Sequence, residues 1–159
     1  FFVEVMGRDA GFIALNSGIA CGAEAILIPE IHEDTQNLKD YLQKGFKRKK
    51  SSNIIIVAEG DESGGAFAIA ESVKEDFRDY EVRVSVLGHI QRGGTPSAYD
   101  RVSASKLGYA AVEALMDDQK SVMVGFHNGE TALVPFRKVI KLKKKVDTER
   151  MQMVEILSV

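Results

Sequence analysis

The chain has 159 residues, 45% hydrophobic and 28% charged, with no tryptophan and a formal net charge of −2. That balance provides for a packed core and excludes bulk disorder, which goes with low hydrophobicity and high net charge. With 21 lysines and arginines against 23 acidic residues, it also excludes a nucleic-acid or membrane binder that works by surplus basic charge, so small or local partners are expected.

Residues 1–5 place Glu4 inside a short apolar run with no long hydrophobic stretch behind it, unlike a signal peptide or a membrane helix. The single cysteine, Cys21, cannot form an intrachain disulfide, and the expected compartment is the cytosol. There is no initiator methionine and residues 2–5 read as a strand already under way, so the chain is expected to be part of a longer one.

Short runs rich in β-branched residues alternate with longer stretches whose apolar residues fall three or four apart, the punctuation of an α/β protein. After the strand at 2–5, residues 9–21 carry Phe12, Ile13, Leu15, Ile19 and Ala20 in helical spacing, and Gly22 is a natural stop because glycine accepts positive φ. The unbroken apolar run 25–28, closed by Pro29, reads as a strand buried on both faces of a parallel sheet. Asp34 or Thr35 then caps a helix with Leu38, Leu42 and Phe46 at four-residue intervals and lysines in its last turn. Residues 53–58, Asn-Ile-Ile-Ile-Val-Ala, are the clearest buried strand; 64–77 are the next helix, and 81–87 an alternating strand rich in valine. The longest helix spans 97–116, with an apolar face through Tyr99, Val102, Leu107, Ala110, Ala111, Ala114 and Leu115. Runs 122–126 and 131–134, separated by His127, Asn128 and Gly129, have hairpin spacing and suit an antiparallel edge. A lysine-rich amphipathic stretch covers 137–145, and Asp147 or Thr148 caps a last helix holding Met151, Val154, Ile156 and Leu157.

The densest chemical constellation is 88–101, Gly-His-Ile-Gln-Arg-Gly-Gly-Thr-Pro-Ser-Ala-Tyr-Asp-Arg, after a strand and before a helix. Arg92 can give bidentate bonds to phosphate oxygens, His89 adds a donor, and the glycines let backbone N–H groups approach an anion. A lone Arg-Gly-Gly is ordinarily a turn with a solvated arginine; the whole cluster favours an anion site. At the end of the first strand, Glu4, Val5, Met6, Gly7 and Arg8 offer a second, weaker signal, evenly balanced against a solvent-facing arginine at a helix start. Glu59, with Asp61 and Glu62, suits acceptance of hydrogen bonds from sugar hydroxyls better than metal binding, for which the spacing is wrong, while the pattern alone reads as an acidic loop. The basic run 47–50 is most simply a solvated face, with a phosphate-binding regulatory site as the alternative. The lysines at 138, 141 and 143–145, His32 and His127 read as surface, and Cys21 as a packed thiol.

Taken together, Met6-Gly7-Arg8, Ala58-Glu59-Gly60, the run 83–96 (Arg-Val-Ser-Val-Leu-Gly-His-Ile-Gln-Arg-Gly-Gly-Thr-Pro) and Tyr99-Asp100-Arg101 resemble the C-terminal half of a bacterial-type ATP-dependent 6-phosphofructokinase. The resemblance covers essentially the whole chain, and the block 88–96 is its most specific part. It implies a phosphofructokinase fold of two Rossmann-like α/β domains, with residues 1–92 in the substrate domain, 93–142 returning to the nucleotide domain, and 143–159 rejoining the first as a C-terminal helix. It implies an enzyme that transfers the γ-phosphoryl group of ATP to the 1-hydroxyl of fructose 6-phosphate, with magnesium, as a homotetramer.

Carried over residue by residue, Met6, Gly7 and Arg8 line the sugar phosphate, with Arg8 also near the transferring phosphoryl group. Glu59 accepts from sugar hydroxyls, His89 and Arg92 hold the 6-phosphate with Ile90 and Gln91 in the same block, and Arg83 reaches into a neighbouring subunit's site. The family's effector site, taking ADP or phosphoenolpyruvate, maps onto Gly22, Ala23, Glu24, Arg48, Lys50, Ser51 and Ser52, a partial match because the two serines stand where familiar members carry a lysine and a further basic or polar residue. The family's phosphate-binding glycine loop, magnesium aspartate and Thr-Ile-Asp-Asn-Asp segment have no counterpart here. The chain alone is therefore expected to bind no ATP or Mg²⁺ and to be inactive, and the helix at 97–116 with the two runs after it is expected to pack elsewhere, be covered by another chain, or expose apolar surface. Two alternatives stand beside this reading: a pyrophosphate-dependent phosphofructokinase, and a non-catalytic anion-binding regulatory module built on Glu24, Arg48 and Lys50.

Overall fold

The computed structural model describes residues 1–31, 35–47, 52–60, 64–78, 80–141 and 145–157. The chain divides into two compact units, Phe1–Gly93 with Val146–Val159, and Gly94–Lys145.

In the first unit, β1 (Phe2–Val5), α1 (Phe12–Cys21), β2 (Ala25–Leu27), α2 (Thr35–Lys47), β3 (Ile55–Ala58), α3 (Gly65–Asp76) and β4 (Val84–Val86) alternate, and α6 (Met151–Leu157) closes the unit. The four strands form one sheet in the order β2-β3-β1-β4. All three pairings are parallel, with Phe2 opposite both Ile55 and Val84 and Ala25 also opposite Ile55. Every residue of β2 and β3 is buried, because helices cover both faces and leave no side for water.

Successive side chains point to opposite faces of a strand, and the core splits accordingly. On one face Phe2, Ala25, Leu27, Ile55 and Val57 pack with Leu38 and Leu42 of α2 and with Ala66, Ile69, Ala70 and Val73 of α3. On the other, Val5, Ile26, Ile56 and Ala58 pack with Ala14 and Leu15 of α1 and Val154 of α6. The result is a three-layer, Rossmann-like α/β sandwich.

Helix α1 begins at Phe12 rather than at residue 9, because residues 7–10 first make a turn in which the Ala10 N–H donates to the Gly7 carbonyl at 3.1 Å. It stops as expected at Gly22, which sits at φ 64°. Strand β4 is shorter than 81–87. Its one neighbour among the described residues, β1, has four residues, so pairing runs out, and the Glu81 and Arg83 side chains pair with each other at 2.6 Å. The Asp34 cap and the Phe46 side chain lie outside the described residues.

The second unit contains α4 (Ala98–Met116), β5 (Val122–His127), β6 (Glu130–Pro135) and α5 (Phe136–Val139), the last covering only the start of the lysine-rich stretch. Helix α4 opens on a reciprocal cap: the Asp100 N–H donates to Ser97 Oγ at 3.2 Å and the Ser97 N–H donates to Asp100 Oδ2 at 2.8 Å. These two Ser97 donors, hydroxyl first, hold the Asp100 carboxyl below its ordinary range. Strands β5 and β6 are an antiparallel hairpin running from Val122 opposite Pro135 to His127 opposite Glu130. Its two-residue tip, Asn128-Gly129, has φ of 51° and 85°, the double positive-φ geometry that selects Asn-Gly. Among the described residues of this unit only Ala114 is a buried hydrophobic, and the face of α4 through Tyr99, Val102 and Leu115 is exposed.

Candidate functional site

The site lies at the C-terminal edge of the sheet, where open α/β sheets gather ligand groups. Register places it there: Val5 stands opposite Ala58, so Met6 and Glu59 leave the sheet together, and the Glu59 N–H donates to the Val5 carbonyl at 3.0 Å. The exit of β4 is fixed to the same edge by the Leu87 N–H donating to the Glu4 carbonyl at 3.1 Å, after which Gly88–Arg92 winds into a 3-10 turn. A cleft of about 260 Å³ results, lined by Met6, Gly7, Arg8, Ile13, Glu59, Gln91 and Arg92.

Two side chains tie the three strand ends together. Glu59 Oε1 accepts from the Arg8 N–H at 2.6 Å and from the Gly7 N–H at 3.3 Å. Gln91 Oε1 accepts from the Met6 N–H at 3.2 Å while its Nε2 donates to the Gly88 carbonyl at 3.2 Å, which joins the end of β1 to the 3-10 turn. Arg8 has φ 53°, a left-handed conformation that costs a non-glycine residue roughly 1–3 kcal/mol. The N–H groups of Arg8 and Gly7, and beyond them the positive charges of Arg92 and Arg8, hold the Glu59 carboxyl below its ordinary range. Chemically the cleft presents two exposed guanidinium groups and one ionised carboxylate, which suits a ligand carrying a phosphate and hydroxyls.

Two backbone donors near the starts of α1 and α3 already have carboxylate partners. Glu4 Oε2 accepts from the Ala66 N–H of α3 at 2.9 Å, and both oxygens of Glu30 accept from the Gly11 N–H ahead of α1 at 3.0 Å. The charged donors that line the cleft are the side chains of Arg8 and Arg92.

Of the residues predicted from sequence, Met6, Gly7, Arg8, Glu59, Gln91 and Arg92 come together in this cleft, while His89 and Ile90 are on the same 3-10 turn without lining it. Arg83 is not part of the cluster. It precedes β4 at the opposite edge of the sheet, where its guanidinium is paired with Glu81.

Of the residues predicted for an effector, Gly22, Ala23 and Glu24 lie at that opposite edge, just before β2, and Ser52 lies ahead of β3. Gly22 caps α1, Ala23 is 1% exposed, and Glu24 is bonded to β3, its Oε2 accepting from the Ile54 N–H and its N–H donating to the Ile54 carbonyl at 2.9 Å. Ser52 lines a separate cavity of about 370 Å³ with Phe1, Asn53, Phe77 and Arg83 among its neighbours. Arg48, Lys50 and Ser51 lie outside the described residues, as do His32, Asp61 and Glu62. Among the described residues no group of three or more His, Cys, Asp or Glu side chains has the arrangement to hold a metal ion, and no helix is long and apolar enough to cross a membrane.

Sequence reasoning grouped Glu4 with Met6, Gly7 and Arg8 without finding its partner, and missed Glu30 and Ile13 as site residues. Glu4 shares the face of Phe2, two residues earlier, and so turns toward α3; an acidic residue on a face otherwise buried requires a donor, and that was its legible signal. Ile13, 45% exposed, lines the cleft from the first turn of α1.

Fold and site together define an α/β domain that gathers two arginines and a carboxylate in a cleft at the ends of its parallel strands. Residues 1–115 match the family model for phosphofructokinase, and the chain belongs to that family. It is 50% identical over 159 residues to ATP-dependent 6-phosphofructokinase 2 of Bacteroides thetaiotaomicron, covering all of this chain and 49% of that protein. It is 45% identical over 158 residues to ATP-dependent 6-phosphofructokinase 1 of Thermus thermophilus, again 49% of that protein. Its fold superposes on the T-state phosphofructokinase of Pichia pastoris with a TM-score of 0.80 at 32% identity, covering 99% of this chain and 19% of that one. For the pyrophosphate-dependent phosphofructokinase of Marinobacter aquaeolei the TM-score is 0.81 at 25% identity, covering 94% of this chain and 42% of that one. The chain spans about half the length of the curated relatives it matches.

Proposed function

We propose that this chain is the sugar-phosphate-binding part of an ATP-dependent 6-phosphofructokinase that converts fructose 6-phosphate to fructose 1,6-bisphosphate in glycolysis. The observation that carries the reading is the cleft that joins Arg8, Arg92 and Glu59 across three strand ends, in a chain 50% identical to an enzyme of that name. Arg92, with His89 beside it, receives the 6-phosphate through charge-assisted bonds. Arg8 stands nearer the reacting end, where a guanidinium stabilises the charge of a phosphoryl group in transfer. Glu59 orients the sugar through its hydroxyls, and Arg83, at the far edge, serves a neighbouring subunit of a homotetramer.

The sequence lacks the glycine loop and the Thr-Ile-Asp-Asn-Asp segment that the family resemblance links to ATP and Mg²⁺, and among the described residues no cluster of His, Cys, Asp or Glu side chains suits a metal ion. Nucleotide and metal belong to the portion of the enzyme outside this chain, and 93–142 is the segment that returns to it; the two compact units, divided after Gly93 and after Lys145, support that assignment. ATP is preferred to pyrophosphate as donor because the relatives at 45–50% identity are named for ATP, whereas the pyrophosphate-dependent structure shares 25%. Gly22, Ala23, Glu24 and Ser52, with Arg48, Lys50 and Ser51, are the proposed effector region for ADP or phosphoenolpyruvate, and the cytoplasm is the proposed compartment.

Titration of the chain with fructose 6-phosphate, followed by amide NMR, tests the reading. Shifts are expected at Met6, Gly7, Arg8, Gln91 and Arg92, and Arg92→Ala is expected to weaken binding by roughly 1.5–3 kcal/mol, the contribution of a hydrogen bond to a charged group. An unchanged dissociation constant in Arg92→Ala removes that arginine from the site.

A further inference from the structure

We infer that Glu59 and Gly60 form a backbone clamp that holds Arg8 at positive φ, which makes them positioning residues for that arginine; the use of the clamp in catalysis rests on the function proposed above, its existence does not. Arg8 is the first central residue of the turn closed by the bond from the Ala10 N–H to the Gly7 carbonyl. Turns with positive φ at that position ordinarily place glycine there. This chain places an exposed arginine there instead, at φ 53°, so its conformation has to be fixed from outside.

The fixing comes from one dipeptide. Consecutive N–H groups of Gly7 and Arg8 converge on a single oxygen of Glu59, filling the concavity that successive amides form where the backbone changes hand. On the other side, a Cβ at Gly60 would fall 1.9 Å from the Arg8 carbonyl oxygen, 2.9 Å from its carbonyl carbon and 3.2 Å from Asp9 Cα. The bare backbone of Gly60 therefore closes against the carbonyl end of Arg8 while Glu59 grips its N–H.

The clamp is itself anchored. Glu59 follows the fully buried β3 and its own N–H is bonded to Val5 at 3.0 Å, so the core of the sheet sets where the Arg8 side chain departs. The same amide donors lead the effects that keep the Glu59 carboxyl ionised.

The test is NMR on the full chain, because positive φ brings a residue's amide and α protons close and gives a strong intraresidue cross-relaxation peak. The peak is expected to be strong at Arg8 in the unmodified chain and in Glu59→Gln, which keeps an acceptor, and to weaken in Glu59→Ala and Gly60→Ala. Contacts between β1 and β3 remain in all four proteins, and the two weakened variants lose fructose 6-phosphate affinity by roughly five- to tenfold, the worth of a lost hydrogen bond. If Gly60→Ala does not fold, the contrast of Glu59→Ala with Glu59→Gln carries the test. A weak peak in the unmodified chain, or a strong one that survives both Glu59→Ala and Gly60→Ala, overturns the clamp. If the series runs as stated while none of the proteins binds fructose 6-phosphate, the clamp stands and the sugar-phosphate reading falls.

Discussion

In the first unit every residue of β2 and β3 is buried between helices, whereas in the second the nineteen residues of α4 bury Ala114 alone and leave Tyr99, Val102 and Leu115 exposed. The way helices begin differs as well. Helices α1 and α3 have glycine N-caps with no side-chain cap of their own; Glu30, in the turn after β2, accepts from the N–H of the α1 N-cap Gly11, and Glu4 of β1 accepts from the Ala66 N–H of α3. Helix α4 carries its whole cap within Ser97 and Asp100, and the hairpin beside it carries its turn within Asn128-Gly129. Tertiary packing therefore sustains the first unit, while local encoding shapes the second.

The largest effect that tests this contrast is at Ile55, which is 1% exposed and packs in the cluster of Phe2, Leu38 and Leu42. Ile55→Ala is expected to cost the first unit about 2–5 kcal/mol, because the cavity persists between two helices and a central strand. Hydrogen exchange at the amides of β1 and β3 measures it. A loss below about 1 kcal/mol would show that the sandwich core collapses around the gap and would weaken the distinction between the units.

Next in size is Ser97→Ala, which removes one half of the reciprocal cap on α4. A loss of about 1 kcal/mol is expected at the first turn of α4, with the first unit unchanged. Exchange rates at residues 98–102 against those of β3 check both parts of the statement. An equal loss in β3 would mean that the two units unfold together.

The same contrast explains what was legible in the sequence. The apolar runs at 25–28 and 53–58 announced a buried parallel sheet because β-branched residues without alternation have few other uses, and the block at 88–96 pointed to the strand end where Gln91 and Arg92 line the cleft. The caps of α1 and α3 were not legible: Glu4 to Ala66 spans 62 residues and Glu30 to Gly11 spans 19 in the opposite direction. Neither matches a local capping pattern, which runs three residues forward from the cap. Glu59 was legible as a carboxylate at a strand end, but its hold on Arg8 depends on a parallel register that periodicity does not encode. Arg83 shows the reverse: it is close in sequence to Arg92, and one strand of opposite ends separates them.

The smallest expected effect is also the one that decides what the second unit's apolar face is for. Leu115 is 72% exposed on α4. If nothing covers it, Leu115→Ser changes the stability of the second unit by no more than about 0.5 kcal/mol, as for other surface substitutions, and leaves the sedimentation coefficient unchanged. If a second copy of the chain covers that face in solution, the same substitution removes buried apolar area at the contact, costs about 1.5 kcal/mol or more, and shifts sedimentation toward monomer. A free leucine and a covered one thus give opposite results in a single variant, measured by denaturant unfolding and sedimentation velocity on the same sample. Agreement with the small value keeps the two units as different as they stand: one with its core complete, the other with locally finished elements and its apolar face open.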